Sequence, residues 1–203
     1  GVGYLALTAN TTGTGNTGVG KTALAAITTG NYNVAVGTDA NASATTASNN
    51  TAVGYYALQD NTASSNTAVG YNALLQNSTG AENVAVGKDA LSANTTANSN
   101  VAVGVESLQD NTTGASNTGV GTGSLKEQTT GSNNTAVGYH SLRENTTANN
   151  NTAVGYTALL TNTTGSENQA FGTYALTLNT TGGNNTAVGY NALGANTTAS
   201  DNT

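Results

Sequence analysis

Proline, cysteine, methionine and tryptophan are absent from this chain, and only 7% of its residues are charged, four Lys and Arg against ten Asp and Glu. Without cysteine there is no disulfide and no thiolate metal site. A net charge of -6 leaves no basic patch to neutralise a phosphate backbone or an anionic bilayer, so nucleic acid and membrane surfaces are disfavoured as partners. No stretch approaches the roughly 18 apolar residues of a transmembrane helix, so no membrane insertion by this segment is expected. Aromatics make up only 5%, and a chain dominated by Asn, Thr, Ala and Gly cannot fill a broad core. Any core it builds is thin.

What the sequence does have is a repeat. Asn16, Asn33, Asn50, Asn66, Asn83, Asn100, Asn117, Asn134, Asn151, Asn168, Asn185 and Asn202 each open the phrase N-T-A-V-G-Y-x-A-L-x-x-N-T-T-G-x-x. Every spacing is 17 residues except one of 16. Self-similarity at a fixed period marks a repeat architecture, so residues 1–203 read as a single continuous array of about twelve coils. The short copy is 50–65, with its deletion between Asn61 and Ser65, in a closing loop where deletions are tolerated. The array opens on the third position of a repeat (Gly1) and stops on the second (Thr203), the expectation for a fragment of a longer fibre.

The period is too short for a pair of helices and too rich in Gly and Thr for stable helix, whereas it suits one turn of short strands joined by Asn and Gly corners. The fold class expected is therefore all-β, a parallel β-solenoid or β-roll. Twelve rungs at a strand spacing of about 4.8 Å give a rod of about 57 Å. Identical residues stack into ladders: Val36, Val53, Val86 and Val103 at position four, Gly37, Gly54, Gly87 and Gly104 at position five, and Leu58, Leu91 and Leu108 at position nine. Positions three and eight accept only Gly, Ala or Ser. Successive strand residues point to opposite faces, and here both faces are restricted. The expectation is that both are covered, with another chain packed closely against the small-residue side. One Val and one Leu buried per turn fall short of the entropy of ordering a whole turn, which also argues for association.

The phrases Asn33-Val34-Ala35-Val36-Gly37, Asn83-Val84-Ala85-Val86-Gly87 and Asn100-Val101-Ala102-Val103-Gly104 resemble the S-V-A-I-G core of the YadA-like heads of trimeric autotransporter adhesins. The same style of repeat resembles segments of phage and bacterial tail fibres. The family unit is shorter, the difference falling at the N-T-T-G corner. What the resemblance implies is a homotrimer of parallel β-rolls outside the cell, used for attachment to surface glycans or matrix, with Val36, Val86 and Val103 filling the roll.

Catalysis needs unlike groups that converge, and the single histidine, His140, stands at a variable position. No catalytic residue, cofactor or metal is assigned, and the chain is not read as an enzyme. Gly15 to Thr22 matches the P-loop pattern G-x-x-x-x-G-K-[ST], but the strand and helix that the motif requires are missing on either side, and Gly18 and Gly20 are ordinary ladder positions. Tyrosines recur at position six, including Tyr55, Tyr71, Tyr139 and Tyr156, where rings can stack on one another or on sugars. An unbroken hydroxyl series at position thirteen, from Thr11 to Thr197, reads first as ladder packing and second as an ice-matching array. Asn-Thr-Thr satisfies the glycosylation acceptor rule at Asn10, Asn94, Asn111, Asn145, Asn162, Asn179 and Asn196. The function expected is that of a structural and adhesive segment of an extracellular, cell-surface or virion tail fibre, with an ice-binding solenoid as the alternative.

Overall fold

The computed structural model describes all of residues 1–203. It is all-β, with one three-residue strand per repeat, from β1 (Thr17–Val19) and β2 (Val34–Val36) to β10 (Gln169–Phe171) and β11 (Thr186–Val188). The eleven strands lie in chain order in one parallel sheet, so the chain is a β-solenoid of coils about 17 residues long. Like stacks on like: Thr17 faces Val34, Gly18 faces Ala35 and Val19 faces Val36. The register holds through the short copy, where Thr51 faces Thr67. The residue lost there is the fourteenth of the repeat. Ala63 takes the fifteenth place, its carbonyl accepting the amides of Asn50 (2.9 Å) and Asn61 (2.7 Å) as Gly80 does for Asn66 and Asn77.

Only 20 of the 133 backbone hydrogen bonds lie within the strands, so the turns carry most of the stacking. They do it by alternating the hand of the backbone. In the turn after each strand, positions seven and nine have positive φ, as at Asp89 (55°) and Leu91 (50°). That alternation sends the N–H groups of positions seven and nine in opposite directions along the axis: Asp89 donates back to Tyr71 (2.9 Å) and Leu91 forward to Ser107 (3.0 Å), while Ala90 between them donates to Gly87 within its own rung.

The inside of each strand is not what the hydrophobic scale suggests. The middle residue is buried and its two flanks are not, as in β2, where Ala35 is 0% exposed while Val34 and Val36 are 36% and 37% exposed. The valines Val36, Val53, Val86 and Val103 therefore do not fill the roll; they point outward. The small-residue side is the inside, covered by the chain's own leucines rather than by another chain. At Gly18 an added methyl would stand 3.2 Å from the Leu7 side chain, so the cross-section holds two small residues and one large one per rung. The core is a column of Ala at positions three and eight against a column of Leu, with Leu58, Leu91 and Leu108 all fully buried.

Beside this apolar column run two ladders of buried asparagine. At position one, Asn100 accepts the backbone N–H of Asn117 on its Oδ1 (2.9 Å) and donates Nδ2 to the Gly114 carbonyl (3.0 Å) fourteen residues on, tying the start of the rung to its end. At position twelve, Asn94 donates to Asn77 Oδ1 (2.7 Å) on the rung before and to Ala97 (3.1 Å) in its own. Buried amides are tolerable because they are bonded along the stack.

Candidate functional site

No pocket, metal-binding cluster or convergent catalytic set is present in the chain. What the solenoid offers is surfaces that run its full length, and the most regular is the outward face of the sheet. Positions two and four point to it together, because residues two apart on a strand share a face. The position-four column is Val throughout β1 to β11 except for Phe171, at 36–38% exposure on most rungs and 72% at Val188 on the last. The position-two column is a mixture of Thr and Val that ends with Gln169 and Thr186. The hydroxyls of Thr51, Thr135 and Thr152 there have no partner within the chain.

The position-thirteen hydroxyls behave differently. Thr112 donates to the Thr129 carbonyl at 3.0 Å and Thr146 to that of Thr163 at 3.1 Å, and the same bond recurs along the stack. They are ladder struts.

One edge of the sheet face, past the Gly corner, carries the aromatic residues. Tyr55 and Tyr71 stack at 5.6 Å between centroids, and Tyr139 and Tyr156 at 5.4 Å. Tyr174 and Tyr190 continue the second group edge-on, and His140 lies on Tyr139 at 3.8 Å. Partial burial and the nearby Arg143 and Lys126 hold the His140 imidazole below its ordinary value. Between the two tyrosine groups sits the only concentrated charge, a band in which Lys126 meets Glu106 at 2.7 Å and Arg143 meets Glu127 at 3.2 Å. Lys126 keeps the Glu106 carboxyl below the usual range. These pairs are solvent-accessible though partly buried and mutually neutralising, so they add solubility more than stability.

The remaining residues singled out in the sequence fall as follows. Gly37, Gly54, Gly87 and Gly104 form the tight corner expected of a ladder, with φ between 137° and 140°. Residues 15–22 cross β1, with Thr17–Val19 extended and Lys21 exposed beyond it, so they form a rung and not a phosphate-cradling loop ahead of a helix. The acceptor asparagines need correction: Asn94, Asn111, Asn145, Asn162 and Asn179 are all 0% exposed, with Nδ2 bonded inside the stack. Asn10 and Asn196, on the outermost rungs, are more open, but their amides are bonded to Gly13 and Ala199. None of the seven has a free amide to carry a sugar. The position-one ladder was not anticipated as a buried column, although asparagine opening every copy was its signal.

No family model matches the chain, and neither curated proteins nor solved structures give a match.

Proposed function

We propose that this chain is a structural and adhesive segment of an extracellular fibre, a stiff repetitive spacer whose sheet face is covered by further copies of itself. The observation that carries this reading is the outward position-four column, Val on every strand but β10, where it is Phe171. A molecule that fully buries its position-nine leucines from Leu24 to Leu176 leaves this apolar stripe open along its length, and contiguous exposed apolar surface of that extent marks an interaction site. A like copy is suited to it, because the column repeats at the strand spacing and a second chain in the same register meets it rung for rung with the same apolar residue. Three copies match the homotrimer that the adhesin and tail-fibre resemblance implies. The tyrosine edge remains outside such a contact and is the surface offered to glycans or matrix.

Light scattering on the purified chain tests the assembly: a particle of three times 19.9 kDa is expected. A folded monomer at micromolar concentration overturns it. Val86→Glu with Val103→Glu is expected to dissociate the assembly while leaving the solenoid folded, since both side chains point outward.

A second reading rests on the same face. Unbonded Thr hydroxyls beside Val methyls, repeated on a regular parallel sheet, form a surface that orders water, and ice is the alternative occupant. It moves from position thirteen, where the hydroxyls are bonded internally, to position two. Thermal hysteresis from a monomer that loses it in Thr135→Lys with Thr152→Lys would favour this reading over the fibre.

A further inference from the structure

At position seventeen the Ser99 hydroxyl reaches Glu82 on the rung before (3.3 Å), but the side chains of Asn49, Asn133, Asn150 and Asn184 are exposed and make no hydrogen bond within the chain. Every residue there adopts a left-handed backbone, as at Asn49 (61°), Asn133 (60°), Asn150 (59°) and Asn184 (56°). The backbone is held, with Asn49 N–H donating to Asn31 (3.0 Å) and Asn184 N–H to Ser166 (3.0 Å) on the rung before. The side chain points outward, and Ser, Glu, Tyr, Gly and Asp replace Asn on other rungs. The adjoining position sixteen is different: Asn98 and Asn149 are also exposed, but their Oδ1 atoms accept the backbone N–H of Ala81 and Ser132 at 2.7 Å.

The four asparagines at position seventeen each begin Asn-Asn-Thr, the acceptor pattern for N-linked sugar. Their partner threonines Thr51, Thr135, Thr152 and Thr186 lie at position two with outward hydroxyls. Where position two is Val or Gln instead, at Val34, Val84, Val101 and Gln169, position seventeen is Tyr32, Glu82, Ser99 and Glu167. Asparagine at position seventeen is thus always followed by the threonine, although Thr17, Thr67 and Thr118 also stand at position two after Gly15, Ser65 and Ser116.

We propose that Asn49, Asn133, Asn150 and Asn184 are N-glycosylation sites of the folded solenoid, a stripe of sugar along the edge of the sheet opposite the tyrosines. The donor is an activated hexose, linked to a nucleotide or polyprenyl pyrophosphate. Asparagine Nδ2 bonds to the anomeric carbon as the carbon–oxygen bond to phosphate breaks. The phosphate leaves with the electron pair, and one amide proton is lost to base. A sugar on Nδ2 of a position-twelve asparagine would replace a hydrogen inside the core and break the rung; on position seventeen it meets only solvent. Position two lies on the sheet face that further copies would cover, so the sugar is expected to be added to the folded chain before it associates, and the Val86→Glu, Val103→Glu variant serves as the unassociated substrate.

The test is to incubate the folded chain, and separately the urea-unfolded chain, with an asparagine-directed glycosyltransferase and a nucleotide-linked hexose, and to map the products by peptide mass spectrometry. Addition of up to four hexoses to the folded chain, confined to these four residues, is expected, together with unchanged circular dichroism. Thr152→Ala should remove the hexose on Asn150 alone. The unfolded chain is expected to accept sugar at Asn94, Asn111, Asn145, Asn162 and Asn179 as well. Modification of the unfolded chain with none on the folded one overturns the proposal, as does folded-state modification of the position-twelve asparagines or of Asn98 and Asn149, which lack the threonine.

Discussion

Each rung turns sharply at two places, and the two corners answer the same difficulty in opposite ways. At the glycine corner the rungs approach so closely that backbone lies on backbone. A methyl at Gly87 would overlap the Gly104 carbonyl oxygen. At the asparagine corner, side chains are added rather than removed, and the Gly114 carbonyl receives the amides of both Asn100 and Asn111 at 3.0 Å. One corner is a steric constraint with a single solution. The other is a network with spare connections, and the sequence reflects the difference. Glycine holds position five in every copy, whereas position twelve admits Ile27, Ala44 and Gln128. At Gln128 the longer side chain still reaches the Gly131 carbonyl (2.9 Å) and accepts from Asn145 (2.9 Å).

The comparison is broken most severely at glycine. Gly87→Ala combines that overlap with a φ of 140°, a region open essentially to Gly alone, and is expected to cost about 4 kcal/mol or more. Because a solenoid's rungs depend mainly on their neighbours, hydrogen exchange is the suitable readout. Protection should be lost first over residues 70–121 and least at the ends of the rod. Loss spread evenly along the chain would show that the corner is not the local constraint described.

Asparagine substitution should be milder. Asn162 donates to Asn145 (3.0 Å) and Gly165 (2.8 Å) and accepts from Asn179 (2.9 Å). Asn162→Ala leaves Asn145 Oδ1 without its donor, yet Gly165 keeps the amide of Asn151 (2.9 Å). A loss of about 2 kcal/mol is expected in chemical denaturation, and Asn162→Gln should restore part of it, since Gln128 spans the same gap. An Ala variant as damaging as Gly87→Ala would remove the distinction between the corners.

The period, the parallel stacking and the three conserved columns were legible in the sequence because each is a pattern of identity, which stacking preserves. The direction of the strand was not, and the valines were assigned to the wrong side. Hydrophobicity places Val inside and Ala against a partner, but the cross-section is too narrow for two large residues. Leu at position nine already fills it, so its facing position must be Ala or Gly. The signal was parity: position two shares a face with position four and admits Thr17, Val34 and Gln169, a tolerance for polar residues that belongs to an outward face. Burial of the acceptor asparagines was hidden for a related reason. Asn is ordinarily a surface residue, and only the bonds from rung to rung make it an interior one. The left-handed backbone at the leucines was equally hidden, since Leu carries no preference for it.

That backbone sharpens the comparison at a third place, between the corners. Asn41 replaces leucine at position nine with φ 47°, fully buried, and neither its Oδ1 nor its Nδ2 has a partner. Leucine adopts the same conformation on the next rung, at Leu58 (54°). Asn41→Leu should therefore complete the core column and stabilise the chain by about 2 kcal/mol, the two unmet polar groups outweighing the left-handed preference of Asn. A destabilising result would mean that asparagine is held there by its backbone and that the apolar column ends at this rung.

The smallest effect expected lies just past the glycine corner, where side chains leave the stack for solvent. His140 is the one histidine of the chain, so its proton resonances titrate alone. Its value is lowered by desolvation first and then by Arg143 and Lys126, with Glu106 opposing them. The folded state therefore releases the proton before the unfolded chain does. As pH falls, the unfolded chain takes up a proton first, near its ordinary value of about 6.5, so this group's contribution is intact above that value and declines until the folded imidazole also protonates. The NMR midpoint of the folded chain should lie below that of the urea-unfolded chain, and Arg143→Ala should raise it only partway, since desolvation is the larger cause. A midpoint in the Arg143→Ala variant equal to the unfolded one would assign the whole shift to charge, and the stacking of His140 on Tyr139 would then have no part in excluding water from the ring.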